Sequence, residues 1–319
     1  MSDLFDTHSN VKQTACDKYA EEVVGGPIQA LDWQGYYSYT VESKDGHTIV
    51  QFRSDKSPLD QEIVDLAKRV HPDLVPGMVR LGLLGDSTVS VWKMDKIPGV
   101  GFLMMIHDDN IKTKVLTTAV DMAKFYAAAW KCPQKPSPER VLAVRQECET
   151  KLLELANSSP APLQIHISQS RAALDDIFEL PWVLTHDDLS SMNLLMDAAT
   201  GHLKGIVDWA DAAIWPFGVA LWGVESILGY DSPDGWTWLD DEAQTCRASF
   251  SATFQQEADE ISADQLILIE KTRNLGLLLR YGFVWRDGRA VPTEDITTLE
   301  GYLRRKCRYP PFGQIRLIR

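Results

Sequence analysis

No run of this sequence approaches the ~20 apolar residues that a membrane-crossing helix needs. Its start, Met1-Ser2-Asp3-Leu4-Phe5-Asp6, has neither the basic opening nor the apolar core of a signal peptide. Cysteine is sparse: Cys16, Cys132, Cys148, Cys246 and Cys307 are scattered, odd in number and without a C-x-x-C pair, which argues against a disulfide framework and a zinc site. Basic residues are also too few for a broad nucleic-acid footprint, since 32 Lys and Arg against 45 Asp and Glu leave a formal net charge of -13. Internal repeats and low-complexity tracts are missing as well. These absences leave a soluble, cytoplasmic protein with reduced thiols as the expectation, and no nucleic-acid or membrane partner; oligomeric state cannot be read.

What is present suits a globular enzyme. The 319 residues, 45% hydrophobic and 24% charged, are enough for one large domain or two lobes. From Ala30 to Met105 the chain reads mainly as strands. Tyr36 to Glu42 and Thr48 to Arg53 are rich in aromatic and β-branched residues around the turn Ser43-Lys44-Asp45-Gly46-His47, which predicts a hairpin. Leu59 to Val70 carries helical spacing at Ile63, Leu66, Ala67 and Val70. A second strand pair, Met78 to Leu84 and Val89 to Met94, ends at Ile97-Pro98-Gly99. Beyond it, Lys114 to Trp130, Pro138 to Asn157, Leu163 to Leu180 and Ala263 to Phe283 are predicted helices. Three short strands, Trp182 to Thr185, Asn193 to Met196 and Lys204 to Trp209, interrupt them, and the rest of the C-terminal chain is expected to be mostly helical. The economical reading is α+β: a strand-rich lobe over 1–98 and a larger helical lobe over 99–319.

The chemistry concentrates in Thr185-His186-Asp187-Asp188-Leu189-Ser190-Ser191-Met192-Asn193, followed by Gly205-Ile206-Val207-Asp208-Trp209. Phosphoryl transfer needs a positioned acceptor hydroxyl and cations on the phosphates, and little covalent work from the protein. Asp188, on a loop after a strand, can accept a hydrogen bond from a hydroxyl and take its proton. Asn193 and Asp208 offer the hard oxygens that magnesium prefers. The five positions from Asp188 to Asn193 allow a loop that turns back on itself.

His186-x-Asp188-x-x-x-x-Asn193 with the later Ile206-Val207-Asp208-Trp209 resembles the aminoglycoside phosphotransferase and choline kinase branch of the protein-kinase-like fold. The resemblance implies a two-lobed fold, ATP and Mg2+ as cofactors, and a small molecule with a hydroxyl as substrate. It implies Asp188 as catalytic aspartate, His186 as the residue bracing its loop, and Asn193 and Asp208 as metal ligands. In the small lobe it makes Gln34, Gly35 and Ser38 part of the loop over the phosphates, Glu62 the glutamate that pairs with a phosphate-binding cation, and Asp95 and Ile97 part of the hinge against adenine. Two positions depart from the family pattern. Gln51 stands where the basic residue belongs, with Arg53 two positions on and therefore on the same face of the strand. Asp187 stands where the family has glycine, adding a carboxylate beside Asp188 that could raise a neighbouring pKa or bind a second cation. These departures keep a second reading alive, a kinase-fold protein that binds or scaffolds, or runs another reaction in the same cleft, without phosphotransfer.

Other features carry structural and functional readings together. Trp236 and Trp238 read as core, or as the wall of an apolar or aromatic substrate pocket. The acidic runs Asp231-Ser232-Pro233-Asp234 and Asp240-Asp241-Glu242 read as solvated approaches to a helix, or, facing the cleft, as attractors of a cationic amine.

Overall fold

The computed structural model describes residues 4–5, 10–232, 235–286 and 288–304. The first lobe opens with α1 (Gln13–Val24) and β1 (Ile28–Ala30), which sequence reasoning left unassigned. Cys16 and Ala20, one helical turn apart, are its buried contacts with the sheet, and left-handed Gly25 ends it. Then come β2 (Ser38–Ser43), β3 (Thr48–Arg53), α2 (Gln61–Val70), β4 (Met78–Leu83) and β5 (Ser90–Asp95). The strands form one antiparallel sheet in the order β1-β2-β3-β5-β4. Asp60 caps α2 by accepting from the amides of Glu62 and Ile63, an arrangement worth about 1 kcal/mol.

The chain leaves this sheet at Asp95 and enters the second lobe through β6 (Val100–Gly101) and the short α3 (Phe102–Met105). Helices α4 (Ile111–Trp130), α5 (Pro138–Ser158), α6 (Ala161–Ala172) and α7 (Leu174–Phe178) follow. The predicted single helix from Leu163 to Leu180 is thus two, because Ala173 leaves the helical region at φ -96, ψ 0. Next stand β7 (Trp182–Thr185), β8 (Leu194–Met196), β9 (Leu203–Ile206) and β10 (Ala213–Pro216), with β7 paired to β10 and β8 between β6 and β9. β11 (Gly229–Ser232) and β12 (Gly235–Trp238) form a hairpin, which places Trp236 and Trp238 on a strand. Helices α8 (Asp240–Glu257) and α9 (Ala263–Tyr281), a second hairpin of β13 (Phe283–Arg286) and β14 (Arg289–Pro292), and α10 (Thr297–Arg304) complete the lobe. Strand pairing therefore enters a region expected to be mostly helical.

A core centred on α4, with Met122, Ala123 and Phe125, reaches Trp92 of the sheet and Trp209 near the cleft. A second core joins α5, α6, α7 and α10. The side chains of the acidic runs at 231–234 and 240–242, and Cys307, lie outside the described residues; Cys16, Cys132, Cys148 and Cys246 form no disulfide. Among the described residues no helix is long and apolar enough to cross a membrane.

Candidate active site

The register of the β8–β9 hairpin builds the centre of the site. Leu194 pairs with Ile206, so the next positions outward are Asn193 and Val207, and the Val207 amide donates to the Asn193 carbonyl at 3.0 Å. Asp208 follows at once. The hairpin turn holds because Asp197 accepts from the amides of Ala199 and Thr200, and because Gly201, at φ +76, lies where a Cβ would meet the Lys114 carbonyl at 2.5 Å. Asp208 adopts φ 61 and turns the chain into a tight helical turn over Trp209–Asp211, anchored by Trp209 Nε1 donating to Ile206 O at 3.0 Å.

On the other side, buried β7 delivers His186 to the start of the loop. His186 donates from Nε2 to Val207 O at 2.8 Å and meets Trp209 edge to face at 4.7 Å, tying the two halves of the motif together. Burial holds its pKa down to about 4, so the ring is neutral at pH 7 and works as a brace. Asp187 takes φ 56, the left-handed conformation that glycine would occupy without strain. Burial pushes its pKa up to about 7, opposed by Arg280 and reinforced by Asp211. Leu189 is buried and its carbonyl accepts from Ser226 Oγ at 3.1 Å, while Asn193 N donates to Ser190 O at 3.0 Å; the loop between Asp188 and Asn193 is thereby folded back.

Asn193 Nδ2 donates to the Asp188 carbonyl at 2.8 Å and to Asp188 Oδ2 at 3.1 Å, which leaves Asn193 Oδ1 for a cation. Asp188 Oδ1 lies 2.5 Å from Arg280 Nη2 on α9, a partner that no local motif announces. Burial raises the Asp188 pKa, and the Arg280 charge opposes the rise. Asp188, Asn193 and Asp208 all line one cleft of about 460 Å³ between the lobes.

The small-lobe residues divide. Arg53 is almost fully buried, with Nη1 2.9 Å from Asp208 Oδ1 and 3.1 Å from Gln51 Oε1, and with Ser57 accepting from its other nitrogens at 3.0 Å. Gln51 donates in turn to Thr40 Oγ1 at 3.1 Å. The cation beside Asp208 is therefore Arg53, and Gln51 props it. Glu62 stands exposed on α2, away from the residues lining the cleft, and the partner of Arg53 is Asp208 instead. Gln34 uses its amide on Leu31 O, Thr40 O and Thr40 N, so it clamps the loop entrance. Gly35 lies against buried Ser38, whose Oγ would be 2.4 Å from a Cβ at position 35. Asp95 and Ile97 line the cleft, and the amides of Asp95 and Lys96 are committed to Gly77 O and His47 O. Sequence reasoning missed Glu42, a cleft residue joined to Lys96 and Gln29, whose carboxyl the Lys96 contact holds below its usual range.

The donor set fits a magnesium ion that keeps most of its waters: one carboxamide oxygen without a donor and one half-exposed carboxylate. Among the described residues no group of three or more His, Cys, Asp or Glu side chains is placed to hold a metal without such help.

Residues 112–236 match the model of the phosphotransferase enzyme family, a span that contains Asp188, Asn193 and Asp208. Several solved structures share the fold. A putative aminoglycoside phosphotransferase from Ralstonia eutropha aligns with a TM-score of 0.55 at 13% identity, over 84% of this chain and 88% of that one. An aminoglycoside-3'-phosphotransferase of type VIII aligns at 0.51 and 16% identity, over 83% and 100%. A Streptomyces rimosus aminoglycoside phosphotransferase, in complex with ADP and streptomycin, aligns at 0.50 and 12% identity, over 83% and 99%. The architecture is thus the two-lobed kinase-like α+β fold implied by the central motif. No curated protein sequence matches the chain.

Proposed function

We propose that this protein transfers the terminal phosphoryl group of ATP, with magnesium, to a hydroxyl of a small molecule. The observation that carries the reading is the placement of Asp188, Asn193 and Asp208 around one cleft, with the buried guanidinium of Arg53 entering from the opposite lobe. Residues 1–98 would hold the nucleotide, and 99–319 would carry the catalytic loop and the acceptor site. Loosely bound metaphosphate-like transfer asks for positioning and cationic charge, and these residues offer both. Asp188 accepts the hydrogen bond of the acceptor hydroxyl and takes its proton as the new P–O bond forms and the bond to the ADP oxygen breaks. Asn193 and Asp208 would hold magnesium, which supplies positive charge at the phosphates. Arg53 supports the phosphates once it leaves Asp208. Leu31, Ile49 and Met94, with the Ile97 hinge, give the base an apolar slot. The structure of the same fold in complex with ADP and streptomycin supports a nucleotide and a small molecule as the ligands.

One observation favours the second reading, a kinase fold without phosphotransfer: both key carboxylates are engaged by arginines, Asp188 by Arg280 and Asp208 by Arg53. Thermal unfolding with millimolar MgATP separates the two. A ligand that binds only the folded state at a hundred times its Kd adds about 2.7 kcal/mol, so an upward shift of several degrees supports the enzyme. An unchanged midpoint supports the rival.

A further inference from the structure

A second cavity of about 690 Å³ opens on the far side of the catalytic loop. Ser190 and Met192 line both this cavity and the nucleotide cleft, so the two spaces meet within a few residues of Asp188. Asp188 lines the first cleft and not this cavity, so an acceptor seated here would reach that carboxylate past Ser190.

The wall is made of rings: His107, Tyr230, Trp236, Tyr281 and Tyr302 all face the cavity. They also hold one another. Trp236 meets Tyr302 at 5.4 Å and 70°, Tyr281 meets Tyr302 at 5.0 Å and 57°, and His107 meets Tyr230 at 6.3 Å and 70°. Rings fixed this way lose little freedom when another ring packs on them, and each such pair contributes about 0.5–1.5 kcal/mol beyond area burial. Leu103 and Ile106 extend the apolar surface.

The polar groups of the lining are uncharged hydroxyls and one imidazole: Ser226 Oγ is committed to Leu189 O and Gly223 O, Ser190 and Ser191 stand on the loop after Asp188, and Thr298, His107 and the tyrosines complete the wall. Among the described residues that line the cavity there is no Asp, Glu, Lys or Arg. A polycation placed against these described residues would exchange the hydration of several ammonium groups for ring contacts worth about 0.5–2 kcal/mol each.

We propose that the acceptor is an uncharged, hydroxyl-bearing molecule with an aromatic or flat apolar body, held by the ring wall and directed to Asp188 past Ser190. This rests on the phosphotransferase reading for the meaning of Asp188, while the ligand class rests on the cavity alone. The volume lies within the range of sites for drug-sized ligands, well above what a compact quaternary amine needs.

The test is saturation-transfer NMR on the full chain without nucleotide, using coniferyl alcohol, kanamycin and choline, with MgATP thermal shifts recorded in parallel. Coniferyl alcohol should bind at least tenfold more tightly than either cation. Trp236→Leu should weaken it tenfold with the MgATP shift unchanged. Leu103→Asp, at a half-exposed position where a charge leaves the fold intact, should do the same. Tighter binding of kanamycin or choline would overturn the proposal, as would aromatic binding that ignores both substitutions. Aromatic binding with no MgATP thermal shift would leave the ligand class standing and remove the phosphotransferase reading instead.

Discussion

Arg280, near the end of α9, places Nη2 2.5 Å from Oδ1 of Asp188, 92 positions earlier in the chain. Its guanidinium also lies over Trp222, 4.9 Å from the ring centroid, which fixes the approach. Arg280 is thus a positioning residue: it orients the carboxylate and favours its ionised form, against burial that favours the protonated one.

Removing that charge has a signed consequence for pH dependence. In the proposed role Asp188 must be ionised to accept the hydroxyl proton, so activity should fall on the acidic side as Asp188 is protonated. In Arg280→Met the carboxyl pKa should rise further, because the opposing charge is gone, moving the acidic limb of kcat/KM to higher pH. The measurement is the pH–rate profile of both proteins. An unmoved limb would mean that Arg280 is only a structural contact.

Arg53 and Gln51 differ in what they do, although the family pattern points at position 51. Arg53 carries the charge and meets Asp208; Gln51 is a hydrogen-bonding prop. Arg53→Ala should weaken MgATP binding tenfold or more, about 1.4 kcal/mol, whereas Gln51→Ala should weaken it less than about threefold. Calorimetric titration of the two variants decides, and the reverse order would return the role to position 51.

Burial raises the folded-state pKa of Asp187 to about 7, well above the ordinary carboxylate range. The folded protein therefore binds this proton more tightly than the unfolded chain does, and stability drains away as pH rises from about 4 to about 7. Asp187→Asn keeps a residue that tolerates φ > 0 and removes the titration. At about 1.4 kcal/mol per pKa unit, discounted for partial exposure, the variant should gain about 1–2 kcal/mol at pH 8 and almost nothing at pH 4. Urea unfolding at the two pH values reads the difference; equal gains at both would assign the effect to packing.

The legible parts of the fold were those governed by local chemistry. Strand β3 and helix α4 follow from side-chain periodicity, and the hairpin that sets Asn193 beside Asp208 follows from a short strand–turn–strand pattern. Contacts between distant segments were not legible. Nothing near Arg280 indicates Asp188, and Glu62 has suitable spacing on α2 but faces solvent, while Arg53 crosses to Asp208 in the other lobe. The ring wall shows the same limit: Trp236 and Trp238 stood out by composition, but only the β11–β12 pairing and the packing of Tyr302 show what surrounds them. Helix α1 did leave a signal in the Gly25-Gly26-Pro27 stop and the Cys16–Ala20 spacing.

The decisive measurement is acceptor-dependent release of ADP from MgATP across a set of hydroxylated small molecules, run with the wild-type chain and with Asp188→Asn. Asp188→Asn keeps the shape of the side chain and removes its capacity to take a proton. With Asp188 as the base, at least one acceptor should be phosphorylated by the wild type and the rate should fall by about 10²–10⁴ in the variant. Equal rates in the two proteins, or no acceptor-dependent turnover in the wild type, would contradict it.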